Sequence, residues 1–171
     1  MTDTEAAAAE AAQQPAQFAI LTQYVKDLSF ENPNAPQSLK SGQGQPKIEI
    51  NIDIQGKKLT DEQFEVVLST KASAKNPEDD SVLFLAELAY AGVFQVKNVP
   101  ENMLKPVLLI EAPRQLFPFA RRILADASRD GGFPPLLLDP IDFVGLYRQR
   151  EAAEKQAAEQ NIATAEAEGS A

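Results

Sequence analysis

The stretch Ile48-Glu49-Ile50-Asn51-Ile52-Asp53-Ile54-Gln55 alternates aliphatic and polar residues without a break. A period of two is the mark of a half-buried β-strand, because successive side chains leave opposite faces. The same period recurs on both sides of it. Upstream, Phe18, Ile20, Tyr24, Leu28 and Phe30 read as one face of a strand over Phe18–Glu31, with Asp27, Ser29 and Glu31 on the other. Asn32-Pro33-Asn34-Ala35-Pro36 stops that strand, since two prolines within four residues cannot sit in a ladder. Downstream, Phe64, Val66 and Leu68 alternate with Glu65, Val67 and Ser69, and Val82–Val96 reads as a long fourth strand with a bulge or bend at Gly92. Turn residues at Gly56–Glu62 and Lys75–Asp80 separate them, so the spacing predicts three hairpin-like connections and an antiparallel sheet. Val82-Leu83-Phe84-Leu85-Ala86 is apolar on both faces, which suits a strand covered on both sides by helices or by a second copy of the chain.

The second half reads as helical. Pro100 can open a helix with Glu101 in its first turn. Pro106, Pro113 and Pro118 argue against one straight helix, so the pattern predicts a short piece over Glu101–Ala112 and a longer one over Arg114–Arg129, ended by Gly131-Gly132. Phe133–Pro140 is a proline-rich apolar crossover. Asp139 is positioned to cap a last helix that opens at Pro140 and runs to Ile162. Strands followed by helices give an α+β fold, with a four-stranded antiparallel sheet and helices packed on one face. The domain spans residues 18–162, between an acidic tail over 1–17 and a second tail over 163–171, both read as disordered.

The 171 residues contain no Cys, His or Trp. Disulfides, Cys/His zinc sites and Ser-His or Cys-His nucleophile pairs are therefore impossible. There is no Walker A and no GxGxxG motif, and the pair Asp139/Asp142 is better explained by helix capping than by acid–base work. Neither an enzyme nor a resident cofactor or metal is expected. The 16 basic against 25 acidic residues, net −9, argue against nucleic acid as a partner. No apolar run approaches the ~20 residues of a membrane span, and no Lys or Arg precedes Lys26 to form a signal peptide's basic region. No membrane insertion and a cytoplasmic location are the expectations.

Four ordered blocks carry a resemblance. Tyr24-Val25-Lys26-Asp27-Leu28-Ser29-Phe30-Glu31-Asn32-Pro33-Asn34-Ala35-Pro36 closely resembles the signature of the SecB family, export chaperones that hold precursor proteins unfolded. It is followed by Glu87–Phe94, Ala112–Arg121 and Gly131–Phe143, so the resemblance covers about residues 18–150. It implies a homotetramer built as a dimer of dimers, and ATP-independent holding of unfolded precursors for delivery to SecA. The implied client groove comprises Ile48, Ile50 and Ile52, then Leu83 and Phe84, the crossover residues Phe133, Leu136 and Leu138, and Phe143 and Tyr147 of the last helix. The implied SecA-docking residues are Asp27, Glu31, Leu85 and Glu87. The residues themselves agree in part: Asp27 and Glu31 share one strand face, where uncompensated carboxylates attract a basic segment. The second reading is a SecB-like dedicated chaperone with one preferred client, such as an antitoxin. The sequence departs from some members at Gln43-Gly44-Gln45, where they carry a Trp, and at Lys105–Ile110.

Overall fold

The computed structural model describes residues 15–40 and 44–168, with side chains of the last helix described to residue 160. Four strands, β1 (Gln17–Glu31), β2 (Lys47–Lys58), β3 (Gln63–Lys75) and β4 (Val82–Lys97), form one antiparallel sheet in the order β1-β4-β3-β2. A short 3₁₀ turn, Gln37–Leu39, lies between β1 and β2. Helix α1 (Glu101–Pro106), a π-helical turn (Val107–Glu111) and α2 (Ala112–Asp130) follow. These elements and the crossover belong to a compact unit that ends at Asp139, and a second unit from Pro140 holds helix α3 (Phe143–Glu168).

The α+β architecture agrees with the sequence, but one connection does not. Only β2-β3 and β3-β4 are hairpins. β1 pairs with β4, so β1 and β2, consecutive in sequence, stand at opposite edges of the sheet, a Greek-key order. The prolines that end β1 also prevent a tight return. Three inter-strand spacings of ~4.8 Å put the two edges about 14 Å apart, a short distance for the fifteen residues between them.

Register corrects two further expectations. β1 carries irregularities between Ile20 and Thr22 and between Val25 and Asp27, while β4 runs through Gly92 without one. Each bulge adds a residue and inverts the alternation. Phe18, Ile20, Leu28 and Phe30 keep the same face, opposite Val96, Phe94, Leu88 and Ala86, and Tyr24 between the bulges turns to the other face, opposite Ala91. Gly92 serves close approach instead. A Cβ there would stand 2.9 Å from both Leu116 Cδ2 and Phe94 Cε2, and both side chains are fully buried.

The helical run over Glu101–Asp130 covers one face of the sheet. Leu108 lies over Gly56, Leu116 over Gly92, and Gly131 against the Phe30 ring. The helical run is continuous from Glu101 to Asp130, where the prolines predicted two pieces. The π turn reconciles the two. Its wider ring, closed by the Ala112 N–H on the Val107 carbonyl, precedes Pro113, which has no N–H to offer the α ladder. The atypical Lys105–Ile110 stretch contributes most of that turn, with Leu108 and Leu109 buried.

At the end of α2 the Phe133 N–H donates to the Ser128 carbonyl and the Gly132 N–H to the Arg129 carbonyl, with Gly132 at φ +87°. This is a Schellman cap, which needs a residue tolerant of positive φ. Ser128 is fully buried. Its Oγ donates to the Ala125 carbonyl and accepts the Leu136 N–H at 2.8 Å, tying helix to crossover. Ser128→Ala leaves that amide unpaired in the interior and is expected to cost about 1–3 kcal/mol, read as a lowered urea midpoint. An unchanged midpoint would contradict this role.

In the second unit the cap is Asp142, not Asp139. Its Oδ1 accepts the Gly145 N–H at 3.0 Å. The helix begins at Phe143 and continues to Glu168, because its Ala/Glu/Gln composition favours helix past the expected end at Ile162. The N-terminal tail expectation for residues 1–14, Gln43 of the loop departure and the end of the C-terminal tail at 169–171 lie outside the described residues.

Candidate functional site

The sheet carries two different surfaces, and register decides which residues meet on each. On the helix-covered face the cross-strand rows run Ile48–Ala74–Phe84, Ile50–Ala72–Ala86–Phe30, Ile52–Thr70–Leu88–Leu28 and Ile54–Leu68–Tyr90–Val25. The helical layer reaches the last row and Ile54 is buried, whereas Ile48 and Ile50 remain 40% and 41% exposed. Small residues, Ala72, Ala74 and Ala86, lie between the isoleucines and an aromatic cluster. In that cluster Phe84 packs on Phe133 at 4.9 Å and on Phe30 at 5.3 Å between ring centroids. An apolar trough is outlined: Ile48, Ile50 and half-buried Ile52 of the edge strand β2 on one side and half-buried Phe133 on the other carry its accessible surface, whereas Ala72, Ala74, Ala86 and Phe84 between them are buried. Apolar segments of varied sequence are suited to such a surface, because burial of apolar area is non-directional.

The candidate groove residues separate accordingly. Ile48, Ile50, half-buried Ile52 and half-buried Phe133 share the trough face with surface to offer, and Phe84 lies on the same face but is buried beneath Phe133 and Phe30. Leu83 does not. It falls at a register shift before Phe84, is buried, and lines a polar pocket of about 240 Å³ with Asn34, Gln37, Ser38 and Asn76. Leu136 and Leu138 point inward and are buried, while Leu137 between them is 65% exposed. Leu39, close to Gly132, is also exposed. Neither is among the candidate groove residues. Three consecutive leucines in an extended segment must alternate, but nothing local sets the parity. Phe143 and Tyr147 belong to the second unit, where Phe143 is buried and the half-buried Tyr147 donates its hydroxyl to Glu151 at 2.8 Å.

The opposite face is polar, and it brings the four candidate docking residues together. Glu31 stands opposite Leu85, Ser29 opposite Glu87 and Asp27 opposite Ala89, all on β1 and β4. Asp27 and Glu31 are exposed, and Leu85 is half-buried. Glu87 is paired with Lys71 at 3.1 Å. Other lysines of this face and its rim are engaged as well: Lys75 with Glu49, Lys47 with Asp80, Lys97 with Glu62. Among the described residues no ion pair or hydrogen bond engages the Asp27 or Glu31 carboxylate.

Beside this patch Tyr24 reaches diagonally over Ala91 and donates its hydroxyl to Glu65 Oε1 at 2.5 Å. Lys26 Nζ donates to both Glu65 oxygens at 2.9 and 3.1 Å. The hydrogen bond to Glu65, followed by burial, pushes the Tyr24 phenol up to about 12. Donation from Tyr24 and then from Lys26 holds the Glu65 carboxyl below its usual range. Phenol neutral and carboxylate charged is thus the stable pairing across neutral pH. Among the described residues no group of three or more His, Cys, Asp or Glu is placed to hold a metal ion, and no helix is long and apolar enough to cross a membrane.

The family model for preprotein translocase subunit SecB matches residues 10–154. A protein-export protein SecB from Afipia carboxidovorans is 56% identical over 161 residues, covering 94% of this chain and 98% of its own. One from Maricaulis maris is 55% identical over 159 residues, covering 92% and 91%. Among solved structures, a SecB-like chaperone of Mycobacterium tuberculosis in complex with an antitoxin peptide superposes with a TM-score of 0.58 at 19% identity. That match covers 73% of this chain and 91% of the other. At that identity the likeness speaks for the fold.

Proposed function

We propose, from the premise that this chain belongs to the SecB family of protein-export chaperones, a division of labour between its two open sheet surfaces. The trough whose accessible surface comes from Ile48, Ile50, Ile52 and Phe133, backed by buried Phe84, holds apolar segments of unfolded precursors. The face bearing Asp27, Glu31, Leu85 and Glu87 docks SecA. Holding needs no nucleotide and no reactive side chain, which fits a chain without Cys or His. The work is done in the cytoplasm by a homotetramer.

The observation that carries the docking half is the register that brings Asp27, Glu31, Leu85 and Glu87 onto one face with two carboxylates unclaimed. A dedicated chaperone with a single client, such as an antitoxin, has no need of such a patch, so the export reading is favoured. Support for self-association comes from the β1 edge. Leu21, Val25 and Leu28 are each more than 40% exposed there, on a strand whose outer backbone groups are free to pair with another copy.

The test uses the purified full chain. Its mass by light scattering is expected near four times 18.6 kDa. It is expected to suppress aggregation of a denatured precursor without ATP and to retain SecA on a column. A monomer at micromolar concentration would undercut the assembly. Failure to hold the precursor would overturn the function.

A further inference from the structure

One lysine sits where it should damage the acidic patch. Lys26 is the bulged residue of β1, immediately before Asp27, and its contact with Glu65 shows that it lies on Asp27's side of the sheet. A free ammonium there would pair with Asp27 and cancel the charge a basic partner needs. Instead it is turned away along the sheet. Glu65 takes it with both carboxylate oxygens, and Glu65 is itself fixed from the other side by the Tyr24 hydroxyl. The Glu65 side chain is only 12% exposed and held from two sides, whereas the lysine is 49% exposed. Lys57, opposite Glu65 on β2, adds a second cation facing the same carboxylate.

We infer that Glu65, fixed by Tyr24, is a positioning residue that sequesters Lys26 and so keeps Asp27 bare for a lysine- or arginine-rich segment of the partner. The inference rests on the docking reading above. The bulge is what creates the need: in a regular strand Lys26 and Asp27 would leave opposite faces, whereas here they share one and the lysine must be drawn away.

The test is a mutant cycle on the full-length assembly, titrated with a synthetic Lys/Arg-rich peptide and separately with purified SecA. Glu65→Gln is expected to weaken both interactions about fivefold, the order of one close ion pair in a water-rich setting. Asp27→Asn is expected to weaken them comparably. In the Asp27→Asn background Glu65→Gln should add almost nothing, because the released lysine has lost its target, whereas a distant charge effect would multiply the two losses. Lys26→Met in the Glu65→Gln background should restore binding. Tyr24→Phe, which changes no charge, should move affinity in the same direction by about twofold and covers the case in which Glu65→Gln fails to fold. Full additivity, or no effect of Glu65→Gln beside a clear effect of Asp27→Asn, overturns the sequestration and leaves docking intact. No effect of Asp27→Asn overturns the docking reading itself.

Discussion

Replacing Ile48 and Ile50 together with aspartate is expected to reduce the holding of unfolded precursors about a hundredfold while leaving the fold and assembly unchanged. Both side chains lie on the apolar face of the edge strand β2, beyond the helical cover, and each retains about two-fifths of its surface in solvent. Fully burying an isoleucine contributes ~1.5–3 kcal/mol, so a client that covers the remaining exposed part gains about 0.6–1.2 kcal/mol from each. Threonine at both positions keeps the β-branched backbone preference and removes part of that gain, for a loss of roughly tenfold at most. Aspartate adds the desolvation of two carboxylates wherever a client segment still tries to cover them, which accounts for the larger figure. Charges on an exposed edge strand are well tolerated, so the tetramer mass and the urea midpoint are expected to stay near those of the parent. The measurement is the affinity for a denatured precursor by fluorescence titration. Unchanged affinity in the aspartate variant would remove β2 from the groove, and weakening of the aspartate but not the threonine variant would point to repulsion rather than lost contact.

The isoleucine ladder is the most legible part of the chain. Its period of two sets the strand and both of its faces, and the four-strand count, the helical second half and the Gly131-Gly132 stop follow by the same local logic. The strand order does not, because β1-β4 pairing is decided by a long connection whose path leaves no periodic trace. Tyr24 illustrates the other gap. Its position in an alternating run predicts the apolar face, yet a single extra residue upstream inverts it, and bulges have no marker here such as glycine. The trough is legible only as a set of apolar residues. Splitting Leu83 from Phe84, or Leu137 from its neighbours, depends on a register shift and on what the crossover packs against. The candidate docking residues differ in this respect. They sit at even separations within two strands, Asp27 to Glu31 and Leu85 to Glu87, so one pairing register suffices to gather them.

That register makes the second prediction sharp. Asp27→Ala combined with Glu31→Ala is expected to weaken SecA binding about thirtyfold while precursor holding stays intact. The two carboxylates are exposed and unclaimed, so each can meet a cation of the partner. One such pair contributes ~1 kcal/mol in water-like surroundings and more as the interface excludes water, and two pairs at the lower figure give the stated loss. Glu87 is expected to matter less by itself, since Lys71 already takes part of its charge. The effect must fall with salt, because exposed pairs are screened over about 10 Å at 0.1 M, and the parent and variant affinities should converge as salt rises. Neither substitution touches the trough, which lies on the opposite side of the sheet, so the two activities are separable by construction. Binding to immobilised SecA is read alongside suppression of precursor aggregation. Equal loss of both would indicate misfolding and sink the docking assignment. Loss of SecA binding alone, with a salt dependence that vanishes in the variant, is the outcome that a bare acidic patch on an otherwise charge-matched sheet face requires.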